Sequence, residues 1–194
     1  FRFYKRDSAR TALVFMIKTF KLHIESHFKK LLDARVLLAV SGGLDSVVLA
    51  HLFSECKIDF EIAHCNFNLR GKESDADADY VEKLAEKLQV KFHVQNFDTE
   101  AYAQDQKVSI QMAARELRYH WFEELCQLHH LPFLATAHHA KDDLETFLIN
   151  LSRGSGLNGL TGITAENDRL VRPLLPFSRE EILTYAEANT LAWR

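Results

Sequence analysis

Val36-Leu37-Leu38-Ala39-Val40-Ser41-Gly42-Gly43-Leu44-Asp45-Ser46-Val47-Val48-Leu49-Ala50-His51-Leu52-Phe53 sets an apolar run, a glycine turn and a second apolar segment in immediate succession. Val36 to Val40 reads as a buried strand, and the segment from Leu44 to about Glu55 reads as a helix. Joining them directly brings unpaired backbone N–H groups and the positive end of a helix dipole to one point, which suits a polyanion. Gly42 and Gly43 are expected to allow close backbone approach and to take positive φ, with the Ser41 and Ser46 hydroxyls adding donors. The string is not a Walker A loop, because no Gly-Lys-Ser/Thr follows at the required spacing. It reads as a phosphate-binding loop of another kind, against the plainer alternative of an ordinary strand-to-helix turn.

Outward from this loop, β-like runs alternate with helical ones. Ile17, Phe20, Ile24 and Phe28 recur at helical spacing and predict a leading helix to about Leu32. Strand one is Arg35 to Val40. Ile58 to His64 alternates with period two and predicts a second strand, and Lys91 to Asn96 a third, with Phe92 and Val94 on one face. Between them Tyr80, Leu84 and Leu88 share a helical face. Ile110 to His129 is the longest helical stretch, and Leu131 to Ala137 the fourth strand. A helix over Asp142 to Leu151, a glycine-rich loop and a short strand around Arg169 to Arg172 follow. Ser178 with Glu181 makes a capping box in front of a last helix. Alternation of this kind implies an α/β fold, a parallel twisted sheet with helices on both faces. Ligands of such sheets sit at the carboxyl ends of strands, where Ser41, His64 and His138 fall.

At 194 residues, 47% hydrophobic and 26% charged, the chain has the size and make-up of one globular domain with a full core. No apolar run approaches the roughly 20 residues of a membrane-crossing helix, so no membrane role is expected. Its three cysteines, Cys56, Cys65 and Cys126, are scattered and odd in number. They fit a reducing, cytoplasmic setting better than a disulfide framework. A net charge of −3 argues against strong nucleic-acid binding by this chain alone. Nothing in the sequence calls for a homo-oligomer. The first methionine is Met16, and Phe1 to Phe15 is expected to be a vector-derived or upstream extension.

The second informative stretch is Ala137-His138-His139-Ala140-Lys141-Asp142-Asp143-Leu144-Glu145-Thr146. On a helix, His138, Asp142 and Glu145 lie near one another at spacings of four and three. A carboxylate pair beside a triphosphate site suits Mg2+, whereas the i, i+4 His-His pair of a zinc helix is absent. The plainer reading is a polar helix start whose acids favour the dipole. Gly154 to Gly159 spells GxGxxG but follows a helix rather than a strand, which argues against a dinucleotide fingerprint. Asp75, Asp77 and Asp79 mimic a calcium loop, yet Tyr80 stands where glycine is required. Arg115 reads either as amphipathic packing or as a phosphate contact.

Ser41 to Ser46 resembles the SGGxDS signature of the PP-loop ATP pyrophosphatases. With Ile110 to Tyr119, Ala137 to Thr146, Arg153 to Leu157 and Arg172-Pro173-Leu174, it resembles the bacterial tRNA(Ile)-lysidine synthetases over about Met16 to Arg194. The resemblance implies a Rossmann-like PP-loop catalytic domain over 16–194. It also implies an enzyme that uses ATP and free L-lysine to convert the wobble cytidine of a tRNA(Ile) with a CAU anticodon into lysidine. It assigns Ser41, Gly42, Gly43, Leu44, Asp45, Ser46 and His64 to the nucleotide, and Asp45 and Asp142 to magnesium or proton handling. Arg115 falls to the developing charge, and His138 and Glu145 to orienting the lysine amine.

The loop His64-Cys65-Asn66-Phe67-Asn68-Leu69-Arg70 departs from the commoner family form, which has Asp, His and Gly at Asn66, Phe67 and Asn68. The family also continues past Trp193-Arg194 into an acidic motif and tRNA-binding domains, so the chain is expected to be an excised catalytic domain. Two alternatives stand beside this reading. A tRNA thiolation enzyme of the same superfamily needs reactive cysteines or an iron–sulfur centre, and no C-x-x-C pair is present. An ATP-binding sensor without turnover is the other.

Overall fold

The computed structural model describes the backbone of residues 2–140 and 164–194, and side chains from residue 14 on. The helix expected over Asp142 to Leu151 and the GxGxxG loop lie outside the described residues. In chain order the elements are α1 (Arg2–His27), a 3-10 turn (Lys29–Leu32), β1 (Val36–Ala39), α2 (Leu44–Glu55), β2 (Phe60–Asn66), α3 (Lys72–Leu88) and β3 (Phe92–Asn96). There follow α4 (Thr99–Gln106), α5 (Ile110–Leu128), β4 (Phe133–Ala135), β5 (Glu166–Asn167), β6 (Leu170–Val171) and α6 (Arg179–Ala188).

The strands form one sheet in the order β3-β2-β1-β4-β6-β5. Every neighbouring pair is parallel except β5 with β6. β1 lies between β2 and β4, and the strand order reverses there, which opens a crevice above their carboxyl ends. Alternate residues of β1 feed two cores. Val36, Leu38 and Val40 join Phe20, Ile24, Leu49, Phe53, Phe177 and Tyr185 beneath α1, α2 and α6. Leu37 faces the other way and joins Trp121, Phe122 and Leu125 of α5.

Several expectations shift. The leading helix begins at Arg2 and ends at His27, so helical spacing locates its buried face, Met16, Phe20 and Ile24, but not its ends. The second strand lies at Phe60–Asn66 and is buried along nearly its whole length, not half-buried as period-two alternation predicts. Central parallel strands are covered on both faces, so a polar residue there needs partners. Glu61, only 5% exposed, has His93 Nε2 at 2.6 Å, Arg35 Nη1 at 3.5 Å and Lys91 Nζ at 3.6 Å. Burial raises its pKa, but the His93 bond and the Lys91 charge outweigh that and hold it below the ordinary carboxyl range. Val94, expected on one face with Phe92, is exposed, since β3 is an edge strand.

The sequence reading has no counterpart of α4. That helix buries only Thr99 and Ala103, too few residues to give a periodic signal; its start is fixed locally by the Asp98 side chain, which accepts the Ala101 N–H at 3.0 Å. The antiparallel β5 was likewise not expected. The capping box before α6 forms as expected, with the Ser178 side chain accepting from the Glu181 N–H and the Glu181 side chain accepting from the Ser178 N–H.

Candidate active site

The crevice at the β1/β4 switch holds a cleft of about 240 Å³ lined by Ser41, Gly43, Asp45, Ser46, Thr136 and His138, with Ala63, Cys65 and Phe67 at its apolar side. The phosphate loop forms its polar end. Gly42 has φ +90°, a conformation strained for any residue with a Cβ. Gly43 does not share it: at φ −72° and ψ 161° it is the extended N-cap of α2, which corrects the expectation of two positive-φ glycines. An N-cap glycine brings no side chain to the helix start, and none caps it. The first-turn N–H groups of Leu44, Asp45 and Ser46 precede the first intrahelical bond, from Val47 N–H to Gly43 O, and so remain for a ligand.

The two serines knit the loop rather than only lining it. Ser46 Oγ donates to Gly43 O at 2.9 Å and accepts the Ser41 N–H at 3.2 Å, while Ser41 Oγ accepts the Gly43 N–H at 3.3 Å. The backbone is thereby preorganised. Asp45, in the first turn of α2, is met by two groups from elsewhere in the chain, the Arg179 guanidinium with Nη1 at 3.2 Å and the His139 ring with Nε2 at 3.6 Å. His138 is hydrogen-bonded through Nδ1 to Thr136 Oγ1 at 2.9 Å, at the end of β4.

His64 donates from Nδ1 to Val40 O at 2.8 Å, which fixes its tautomer and leaves Nε2 as acceptor. Burial lowers its pKa, opposed by that bond and by Asp77, so the ring is neutral near pH 7. It lines a second cleft of about 270 Å³ that shares Ser41, Cys65, Phe67 and Arg118 with the first. The departing residues after β2 are accommodated there. Asn68 takes φ +54°, which asparagine tolerates better than most residues with a Cβ. Asn66 accepts the Asn68 N–H and donates to Asp75, and Phe67 stacks on Phe97 at 5.6 Å.

Residues 16–194 match the family described as the PP-loop domain. The chain belongs to that family. It is 45% identical over 165 residues to the tRNA(Ile)-lysidine synthase of Bacteroides thetaiotaomicron, covering 85% of this chain and 39% of the relative. It is also 45% identical over 188 residues to the enzyme of the same name from Chlorobaculum tepidum, covering 92% and 56%. The chain thus spans between about a third and somewhat over half of these relatives' lengths. Among solved structures it resembles the U34-tRNA thiolase NcsA from Methanococcus maripaludis with its 4Fe-4S cluster, at TM-score 0.71 and 18% identity over 92% of this chain and 65% of that one. It resembles the NH3-dependent NAD synthetase of Campylobacter jejuni at TM-score 0.60 and 14% identity, over 94% and 74%. Both share the PP-loop fold.

Of the residues assigned to the PP-loop site, Ser41, Gly43, Asp45, Ser46 and His138 line the main cleft and His64 the second. Gly42 sits behind the loop against Tyr80 and Val81, and Leu44 is buried beneath it. Asp142 and Glu145 lie outside the described residues. Arg115 is exposed, with its guanidinium 5.1 Å from the Tyr119 ring centroid, and does not line the cleft; Arg118, one turn on, does, 5.2 Å from the Phe67 centroid. Three residues that the sequence reading passed over enter the site: Arg118, His139 and Arg179. Helical spacing from Arg115 was a signal for Arg118, but none in the sequence joins Arg179 to Asp45, 134 positions away.

Among the described residues no group of three His, Cys, Asp or Glu can hold a metal. Asp45 alone, its side chain 25% exposed at the cradle, fits the one- or two-carboxylate demand of magnesium bound to phosphate oxygens. All three cysteines are poor thiolates: burial pushes the Cys65 thiol up to about 12 and Cys56 to about 11, and raises Cys126.

Proposed function

We propose that this chain is the ATP-using catalytic domain of a tRNA(Ile)-lysidine synthase, which joins free lysine to C2 of the wobble cytidine in a tRNA(Ile) with a CAU anticodon. The observation that carries the reading is the preorganised phosphate loop at the β1/β4 switch, in a chain 45% identical over most of its length to enzymes of that name. The reaction balances in two steps. Cytosine O2 attacks the α-phosphorus of ATP and pyrophosphate leaves; the lysine ε-amine then attacks C2, AMP leaves with that oxygen, and the amine proton goes to a base.

Gly42 and Gly43 shape the turn, and Leu44, Asp45 and Ser46 hold the phosphates through first-turn backbone N–H groups already in place, with the Ser41 and Ser46 hydroxyls and His64 around them, so positioning costs no rearrangement at the moment of reaction. Asp45 would hold magnesium, a role the family resemblance also gives Asp142; the ion would neutralise phosphate charge when bound. Arg118, which lines the cleft, and Arg115, one turn before it and outside the cleft lining, answer the developing charge, and His138 with Glu145 orients the lysine amine. The raised Cys65 thiol speaks against thiolation by way of a reactive thiolate.

The test is incorporation of radiolabelled lysine into CAU-anticodon tRNA(Ile) by the protein carrying this domain, with ATP and magnesium. Label that requires ATP and disappears in Asp45→Ala is the expected result. Undiminished incorporation by Asp45→Ala would overturn the assignment of that residue. ATP consumption only when a sulfur donor is supplied would replace ligation by thiolation, and ATP binding without pyrophosphate release would favour a sensor.

A further inference from the structure

Asp45 is a negative charge at the lip of a cradle built for a polyphosphate, where it serves binding only if it is held to face the magnesium rather than the phosphates. An ion pair from elsewhere in the chain constrains it. Arg179 Nη1 stands 3.2 Å from Asp45 Oδ2 and 3.5 Å from Oδ1, and His139 Nε2 is 3.6 Å from Oδ1. Both partners hang from one backbone link, the Ala140 N–H to Phe177 O bond at 3.2 Å. Arg179 is also the first residue of α6, held by the Ser178–Glu181 capping box and by the packing of Ile182 and Tyr185 against the core shared with α2.

We infer that Arg179 is a positioning residue of the nucleotide site: it holds the Asp45 carboxylate in place at the lip of the cradle, in the orientation that the magnesium-bound polyphosphate meets. The inference rests on reading the cradle as a nucleotide site. Its side chain is 53% exposed, and an ion pair so exposed adds little to folding, which separates the binding role from a structural one.

Calorimetric titration of ATP with magnesium into wild type, Arg179→Gln, Arg179→Lys, Arg179→Met, Asp45→Asn and Asp45→Asn/Arg179→Gln tests it. Arg179→Gln should weaken ATP binding about tenfold or more, Arg179→Lys should stay within about threefold of wild type, and urea midpoints should be unchanged. In the Asp45→Asn background the same Arg179→Gln change should cost less than about twofold. A full Arg179→Gln penalty in that background, or none in the wild type, would overturn the inference. Should Asp45→Asn bind too weakly to titrate, the lysine and methionine variants decide: equal losses in both overturn it, because charge is what Asp45 requires. A coupled pair in a protein that does not ligate lysine would sink the ligase reading and leave this inference standing; wild type that does not bind ATP would sink both.

Discussion

Two adjacent glycines in the phosphate loop answer to different physics. A Cβ at Gly42 meets nothing closer than Val81 Cγ2 at 3.5 Å, so the cost of alanine there is the φ of +90° itself, not a clash. Gly42→Ala is therefore expected to lower unfolding free energy by at least about 1–2 kcal/mol and to disturb nucleotide binding. Gly43→Ala keeps an allowed φ and should change stability by less than about 0.5 kcal/mol, measured by urea unfolding of the two variants side by side. Cys65 gives a functional counterpart. With its thiol pushed up to about 12 it carries no thiolate at neutral pH, so Cys65→Ser should retain lysine incorporation; its abolition would point back to sulfur chemistry.

Among the elements, α6 does the most with the least sequence. Its capping box fixes where the helix starts and hence where Arg179 stands, so Ser178→Ala should cost about 1 kcal/mol of stability, with the urea m-value unchanged, and weaken ATP binding along with it. Tyr185 in the same helix is fully buried with an OH that finds no hydrogen-bond partner among the described residues, and burial raises its pKa. Tyr185→Phe removes an unpaired polar group at nearly constant shape and should be neutral to stabilising by up to about 1–3 kcal/mol. A destabilised Tyr185→Phe protein would mean that the hydroxyl is satisfied in solution.

At the scale of the whole molecule, burial sets the pH response. His64 and His51 are both held below the ordinary 6.5, His64 by burial against the Val40 and Asp77 contributions, His51 by burial and by Lys87. Between those lowered values and 6.5 the unfolded chain binds more protons, so stability is full above about pH 6.5 and falls as pH drops through the folded values. Urea midpoints should decline from about pH 7.5 to about pH 5.5, and a flat profile would contradict the burial argument. The net charge of −3 bears on partners instead: the isolated chain should bind tRNA more weakly than about 1 µM at physiological salt.

What was legible in the sequence is whatever depends on neighbours along the chain. The strand-loop-helix succession at Val36 to Phe53, the β/α alternation behind the parallel sheet and the Ser178 capping box all involve residues within a few positions of one another, where spacing alone fixes geometry. The burial of Glu61 and the exposure of Arg115 were not legible in this way. Nor was the convergence of His139 and Arg179 on Asp45, because each depends on which strands and helices lie against each other across the sheet. Sequence determined that a phosphate loop would form and where it would lie on its strand. Tertiary packing alone decided that Arg179 and His139 would meet the carboxylate it carries, since such contacts depend on distance in space and not along the chain.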